Sequence, residues 1–151
     1  ARLVVAGAGR RRSQWEEEAA RSGQSGSVRF LGFTPHVREL LAASDLLVSP
    51  VRYESYGLNV HEALCRGAAV LVSQAAGVTE RFDAALSEAL LPRDITSDEL
   101  ARRLRLWRED LEGWRARAAG TAARLRARSW QQMAAELIDI AEQPVCERVL
   151  A

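Results

Sequence analysis

Two glutamates, Glu54 and Glu62, are the residues best suited to chemistry in this sequence, with seven residues between them. An ionised carboxylate accepts hydrogen bonds and donates none, so both side chains suit a ligand rich in hydroxyl groups. Gly57 lies between them and leaves the backbone bare, so a bulky phosphate or sugar can approach the neighbouring amides. A sugar nucleotide carries hydroxyls on its ribose and its hexose, with a diphosphate between them. An acceptor on each side of an amide-rich turn matches that order of groups.

Two predicted elements must position these glutamates. The apolar run Leu46–Ser49 predicts a buried strand, and residues 58–66 predict a helix that begins directly after Gly57. In an open α/β sheet, ligands bind beyond the carboxyl ends of the strands, where helices point their N-termini. Unpaired amides and the helix dipole favour phosphate at that point. The sequence therefore predicts a phosphate-compatible loop that is flanked by two acids.

The rest of the chain predicts a frame of the same kind. Short apolar runs alternate with amphipathic segments, which is typical of a doubly wound, Rossmann-like α/β fold with a parallel sheet. Predicted strands cover residues 2–6, 28–31, 46–49, 69–73 and 89–91, and predicted helices cover 14–22, 36–43, 58–66 and 79–82. From Ser97, the expected cap of the next helix, only helices follow, and Pro144 closes the last one. We expect one domain over residues 1–143 and a tail over 144–151.

Composition excludes several functional classes of protein. The net charge is +1, so no overall basic field points to nucleic acid, which we do not expect as a partner. All 21 basic residues are arginines, which excludes a lysine Schiff base within this chain. Two cysteines without metal-ligand spacing, and no apolar run long enough to span a membrane, favour a reduced cytoplasmic protein without a metal site.

The segment from Glu54 to Leu64 resembles the E-x7-E motif of retaining glycosyltransferases of the GT-B architecture (group 1, family 4-like). Further matches run along the chain in the family's order, over about nine-tenths of its length. They are residues 3–9 with a G-x-G ending, 28–32 before the family's base-binding loop, Gly67, the strand 69–73, the glycine loop and glutamate at 76–80, and Ser129-Trp130 before the closing helix. The chain is similar to the C-terminal, donor-binding domain of such enzymes.

The resemblance implies roles for individual residues. Glu54 would be the catalytic residue and face the donor hexose, and Glu62 would hold the ribose hydroxyls. Backbone amides of the turn between them would serve the hexose and the phosphate, and Gly32, Phe33 and Thr34 would meet the nucleobase. The turn residues are Tyr56, Gly57, Leu58 and Asn59. The implied donor is a nucleotide-sugar such as a UDP- or GDP-sugar, with no further cofactor and no metal.

Two departures from the family pattern limit what the chain can bind and catalyse on its own. The family's arginine and lysine pair, which grips the diphosphate, precedes the strand at which this sequence starts, and no lysine occurs here. We therefore expect the first strand-helix unit of the domain to be absent, together with the N-terminal acceptor-binding domain. The chain alone should bind donor weakly and transfer nothing, and the acceptor of the full-length enzyme could lie at a membrane surface.

Other interpretations stay open at this point. A nucleotide-sugar epimerase has the same two-domain architecture and would turn over its substrate without any acceptor. A non-catalytic nucleotide-sugar-binding module would retain the fold but not the reaction. Without the flanking matches, Glu54 and Glu62 would be ordinary surface acids, Glu62 being favoured near a helix N-terminus. His61 lies between the two acids, and the sequence assigns it no chemistry.

Overall fold

The computed structural model describes residues 1–142, so Pro144 and the expected tail over 144–151 lie outside the described residues. The chain divides into two compact units, Ala1–Ala43 and a second that begins at Ser44. Each unit contains parallel strands joined by helices, as the alternating sequence pattern predicts. The extent of a single nucleotide-sugar-binding domain over residues 1–143 stays a prediction.

The first unit is a small strand-helix-strand-helix segment. Strand β1 (Leu3–Ala6) leads to helix α1 (Arg12–Arg21), then to strand β2 (Val28–Gly32) and helix α2 (Val37–Ala42). The two strands are parallel, with Leu3 opposite Val28. Leu3 remains 53% exposed although β1 is apolar throughout. The small unit therefore leaves much of this strand's apolar surface in contact with solvent.

The second unit contains the buried sheet. Strand β3 (Leu46–Ser49) pairs in parallel with β4 (Ala69–Ser73), which pairs in parallel with β5 (Leu90–Leu91). All five residues of β4 are buried. An apolar run with no polar alternation is typical of a parallel strand that is covered on both faces, and here it forms the centre of the core.

Helices cover this sheet. Helix α3 (Leu58–Cys65) packs on β4 and on the long helix α5 (Leu111–Ala127), and it buries Val60, Ala63 and Leu64. Helix α4 (Ser97–Glu109) precedes α5, and α6 (Trp130–Glu142) follows it. No residue of α6 is buried within the described chain. Its apolar side chains Trp130, Leu137, Ile138 and Ile140 are exposed here.

Two local predictions need correction. The helix expected over residues 79–82 is instead a 3-10 helix at Gly77–Arg81, and a second 3-10 helix at Ala84–Ala89 has no counterpart in the sequence pattern. Ser97 does not cap α4. Thr96 does, because its hydroxyl oxygen accepts a hydrogen bond from the Glu99 amide at 3.2 Å. Short 3-10 turns of this kind are frequent as connectors between longer elements.

A polar cluster ties the 3-10 helices to α5. Thr121 is fully buried, and its hydroxyl donates to the Asp83 carboxylate at 3.2 Å. Arg124 donates to the same carboxylate oxygen at 2.8 Å. The Arg124 guanidinium holds the pKa of Asp83 below its ordinary value, and Thr121 contributes to the same shift. The ionised form of Asp83 therefore stabilises the contact.

Replacing Asp83 with asparagine should lower the free energy of unfolding at neutral pH but not in acid. A carboxyl whose pKa is lowered on folding contributes stability above its unfolded pKa and loses it as the pH falls through its folded pKa. The urea midpoints of wild type and Asp83→Asn should thus differ at about pH 7 and converge in acid, as the pH falls through the lowered pKa of Asp83. A difference that stays constant across this range would show that the charge of Asp83 is not what holds the contact.

Candidate functional site

The site begins where β3 ends. Ser49, its last residue, is buried, and the chain leaves the sheet through the loop over residues 50–57 before α3 starts. Gly57 precedes the helix with φ 97° and ψ 59°, in the left-handed region. Residues with a side chain rarely adopt this conformation, so glycine at this position permits the turn into the helix.

Gly57 is also closely packed. A Cβ atom at this position would lie 3.3 Å from a methyl group of Val78 and 3.5 Å from Cγ of Glu54. The side chain of Glu54 therefore lies against the turn, next to the start of α3. Gly57 is buried, and the space left by its missing side chain is filled by neighbours within this chain, so its approach to a phosphate or sugar stays a prediction.

A second loop, which follows β4 and contains Ala76 and Gly77, fixes the loop over residues 50–57. Glu54 forms an isolated parallel bridge with Ala76, and the Gly77 amide donates to the Glu54 carbonyl at 3.3 Å. The Val78 amide donates to the Tyr56 carbonyl at 2.7 Å. A Cβ atom on Gly77 would lie 2.4 Å from the Ser55 carbonyl oxygen, so the close approach of the two loops requires glycine there.

Free amides line the turn. Within residues 1–142, the N–H groups of Gly57, Leu58 and Asn59 donate to no acceptor, whereas those of Val60 and His61 both donate to the Gly57 carbonyl. The first N–H groups of a helix have no partner inside the helix and carry its positive partial charge. Three donors at one point therefore suit an anionic or hydroxyl-bearing ligand.

The two glutamates differ in environment. Glu54 is half-buried, and the Ser55 hydroxyl lies 3.5 Å from its carboxylate. Glu62 is exposed on α3, one turn after Leu58, which is itself 68% exposed. Positions four apart lie on the same face of a helix, so Glu62 shares the solvent face of the turn that carries the free amides.

Sequence reasoning missed one contact of this site. The Tyr56 hydroxyl lies 2.9 Å from Nδ1 of His61, and the two rings are tilted with their centroids 5.9 Å apart. Both side chains are half-buried. Tyr56 and His61 are five residues apart across the helix start, and only the turn at Gly57 brings them together.

The predicted base-binding residues lie in the first unit, at the carboxyl end of β2. Gly32 is buried with φ 70°, and the Arg12 guanidinium lies against it. Phe33 is 85% exposed, and the Thr34 hydroxyl accepts a hydrogen bond from the His36 amide at 3.1 Å. Their contact with a nucleobase stays a prediction.

A cavity of about 330 Å³ is lined partly by the loop that leads to Glu54, but by neither glutamate. Its walls come from the loop after β3, which carries Arg52, and from the segment between β5 and α4, which carries Arg93. Arg52 faces Asp94 at 4.0 Å, and both side chains are largely exposed. Such an exposed pair contributes little in water, so the Arg52 guanidinium stays available to an anion.

Two further features are absent from residues 1–142. No group of three or more histidine, cysteine, aspartate or glutamate side chains is placed to hold a metal ion. Across the same residues, no helix combines the length and the apolar character needed to cross a bilayer.

Comparison with known proteins identifies relatives along most of the chain. The sequence model of the family "Glycosyl transferases group 1" matches residues 1–126. EpsF of Bacillus subtilis is 32% identical over 122 residues, which are 81% of this chain and 29% of EpsF. An uncharacterised glycosyltransferase of Methanocaldococcus jannaschii is 35% identical over 82 residues, 53% of this chain and 21% of that protein. The chain thus spans less than a third of each of these relatives.

Solved structures share the fold. HepE of Anabaena, crystallised in complex with UDP, superimposes with a TM-score of 0.78 at 24% identity, over 91% of this chain and 41% of HepE. Sucrose-phosphate synthase of Thermosynechococcus elongatus superimposes with a TM-score of 0.79 at 21% identity, over 94% of this chain and 38% of the synthase. The Rossmann-like α/β class followed by C-terminal helices, predicted from the sequence, is confirmed.

Proposed function

Because this chain belongs to the group 1 glycosyl transferases, we propose that it is the donor-binding part of an enzyme that transfers a sugar from a nucleotide-sugar to an acceptor hydroxyl. The observation that carries the proposal is the turn at Gly57. It joins three free amides to two carboxylates at the carboxyl end of a buried parallel sheet. This is where α/β proteins bind nucleotides, and the combination of donors and acceptors fits a phosphate between two sets of hydroxyls.

The two glutamates bind different parts of the nucleotide-sugar. Glu54 accepts hydrogen bonds from the donor hexose, and Glu62 accepts them from the ribose diol. Amides of Tyr56, Gly57, Leu58 and Asn59 serve the hexose hydroxyls and the phosphate. As the nucleoside diphosphate leaves, negative charge grows on its oxygens, and amide donors at a helix N-terminus stabilise that charge without reorganising. Gly32, Phe33 and Thr34 receive the base.

Transfer itself requires more than these 151 residues. We propose that the full-length protein adds an acceptor-binding Rossmann-like domain and the missing first strand-helix unit, with an arginine and lysine pair for the diphosphate. The reaction retains the anomeric configuration of the donor. This proposal is supported by family membership and by the small share of each relative that the chain spans.

Removing the Glu62 carboxylate should weaken nucleotide-sugar binding about tenfold. Leaving a ribose diol without its acceptor costs about 1–3 kcal/mol, and 1.4 kcal/mol corresponds to a factor of ten in affinity. Titration calorimetry of the chain with UDP- and GDP-sugars at millimolar concentration measures the change between wild type and Glu62→Ala.

The matched control is Glu17→Ala, which removes an exposed glutamate from α1 and should leave the affinity unchanged. No heat from either nucleotide-sugar with the wild-type chain would contradict the donor-site assignment. Equal losses in Glu62→Ala and Glu17→Ala would show that Glu62 acts only through the overall charge.

A further inference from the structure

We propose that His61 is a positioning residue of the donor site, acting through the Tyr56 side chain on the amide that meets the donor hexose. The inference rests on the proposed function and adds a residue to which the sequence assigns no chemistry. Its basis is the contact of 2.9 Å between the Tyr56 hydroxyl and Nδ1 of His61.

Tyr56 is held at two points. Its carbonyl accepts a hydrogen bond from the Val78 amide at 2.7 Å, which fixes the backbone from the side of the second loop. Its hydroxyl reaches His61, which lies within α3 and moves with that helix. The remaining polar group, its N–H, donates to no acceptor within residues 1–142. Because the carbonyl and the hydroxyl of Tyr56 are both held, the direction of its free N–H is set as well.

His61 is well placed for this task. It follows the helix start by one turn, and helical side chains lean toward the N-terminus, so its ring projects back over the turn at Gly57. The Tyr56 hydroxyl and Nδ1 of His61 are close enough to share one hydrogen bond, in which the phenol donates when Nδ1 carries no proton. No other hydrogen bond of the imidazole occurs within the described chain apart from that with Tyr56. The contact therefore links the loop that carries Glu54 to the helix that carries Glu62.

The test compares ligands with and without the hexose. UDP-glucose and GDP-mannose are titrated into the chain by calorimetry, and the tighter of the two is compared with its nucleoside diphosphate. Tyr56→Phe and His61→Leu should each weaken nucleotide-sugar binding about fivefold, as expected for the loss of one neutral hydrogen bond. Binding of the nucleoside diphosphate should stay within about twofold of wild type, because the Tyr56 amide meets the hexose in this proposal and the phosphate is left to the amides that follow it.

Two further variants separate positioning from general destabilisation. His61→Asn retains an acceptor near the position of Nδ1 and should restore most of the affinity. The double variant Tyr56→Phe/His61→Leu should bind no more weakly than either single variant, since both remove the same contact. Additive losses, or equal losses for the nucleotide-sugar and the nucleoside diphosphate, would overturn the proposal.

Different results would overturn the proposed function and the role of His61. Wild-type chain that binds neither nucleotide-sugar overturns the proposed function. Wild-type chain that binds, with unchanged affinity in Tyr56→Phe and His61→Leu, overturns only the role of His61. Thermal unfolding of each variant, recorded beside the titrations, identifies any loss that comes from unfolded protein.

Discussion

Replacing Glu54 with glutamine should reduce sugar transfer by the full-length enzyme about 100- to 1,000-fold while the protein stays folded. As the nucleoside diphosphate departs, positive charge develops at the anomeric centre of the hexose. The Glu54 side chain lies against the turn at Gly57 and is half-buried, and the Glu54 backbone is bridged to Ala76. A fixed carboxylate stabilises that charge, and removing one preorganised group of this kind typically costs this much in rate.

The Glu54→Gln substitution should affect kcat far more than KM. Glutamine has the shape of glutamate and can still accept a hydrogen bond from a hexose hydroxyl, so KM for the donor should change by a few-fold at most. The loss should therefore fall mainly on kcat, as for an interaction made in the transition state. Glu17→Gln, with the same chemical change on the exposed face of α1, should transfer at the wild-type rate. Full transfer activity in Glu54→Gln would show that the Glu54 carboxylate does not stabilise the transition state.

Replacing Gly77 with alanine should destabilise the protein by about 2 kcal/mol and abolish donor binding. The new Cβ would lie 2.4 Å from the Ser55 carbonyl oxygen, and no rotamer change relieves a clash between backbone and Cβ. The two loops must separate, which breaks the hydrogen bonds of Glu54 and Tyr56 to the second loop. Thermal unfolding should show a lower Tm by several degrees.

A second glycine provides the matched control. Gly120 lies inside α5, where an added Cβ would meet its nearest atom at 3.6 Å, an ordinary contact. Alanine is the better helix former there, so Gly120→Ala should leave stability unchanged or raise it by up to about 1 kcal/mol. Gly77→Ala that melts with wild type would contradict the tight contact between the two loops.

Local sequence patterns predicted the frame of the site well. Strands β3 and β4 occur at their predicted bounds because both runs are apolar on both faces and are closed by small or polar residues. Helix α3 starts where Gly57 predicts it, since a left-handed residue at that point ends the loop. The resemblance to group 1 glycosyltransferases is confirmed. The separate roles of Glu54 at the hexose and Glu62 at the ribose stay predictions.

Contacts between distant segments escaped prediction. The bridge between Glu54 and Ala76 joins residues from two loops that meet only because β3 and β4 are neighbours in the sheet. The 3-10 helix at Gly77–Arg81 takes its form from that contact rather than from an amphipathic pattern. Likewise, the Tyr56 hydroxyl meets His61 through the backbone angle at Gly57, which periodicity does not encode.

The most direct test of the central claim is a residue-resolved titration. Amide resonances of ¹⁵N-labelled chain are followed as UDP-glucose or GDP-mannose is added to millimolar concentration. We expect the largest shifts on Gly57, Leu58 and Asn59, whose N–H groups are free before the ligand arrives. Shifts that leave these three amides unchanged while others move, or no shifts at all, would contradict a donor site between Glu54 and Glu62.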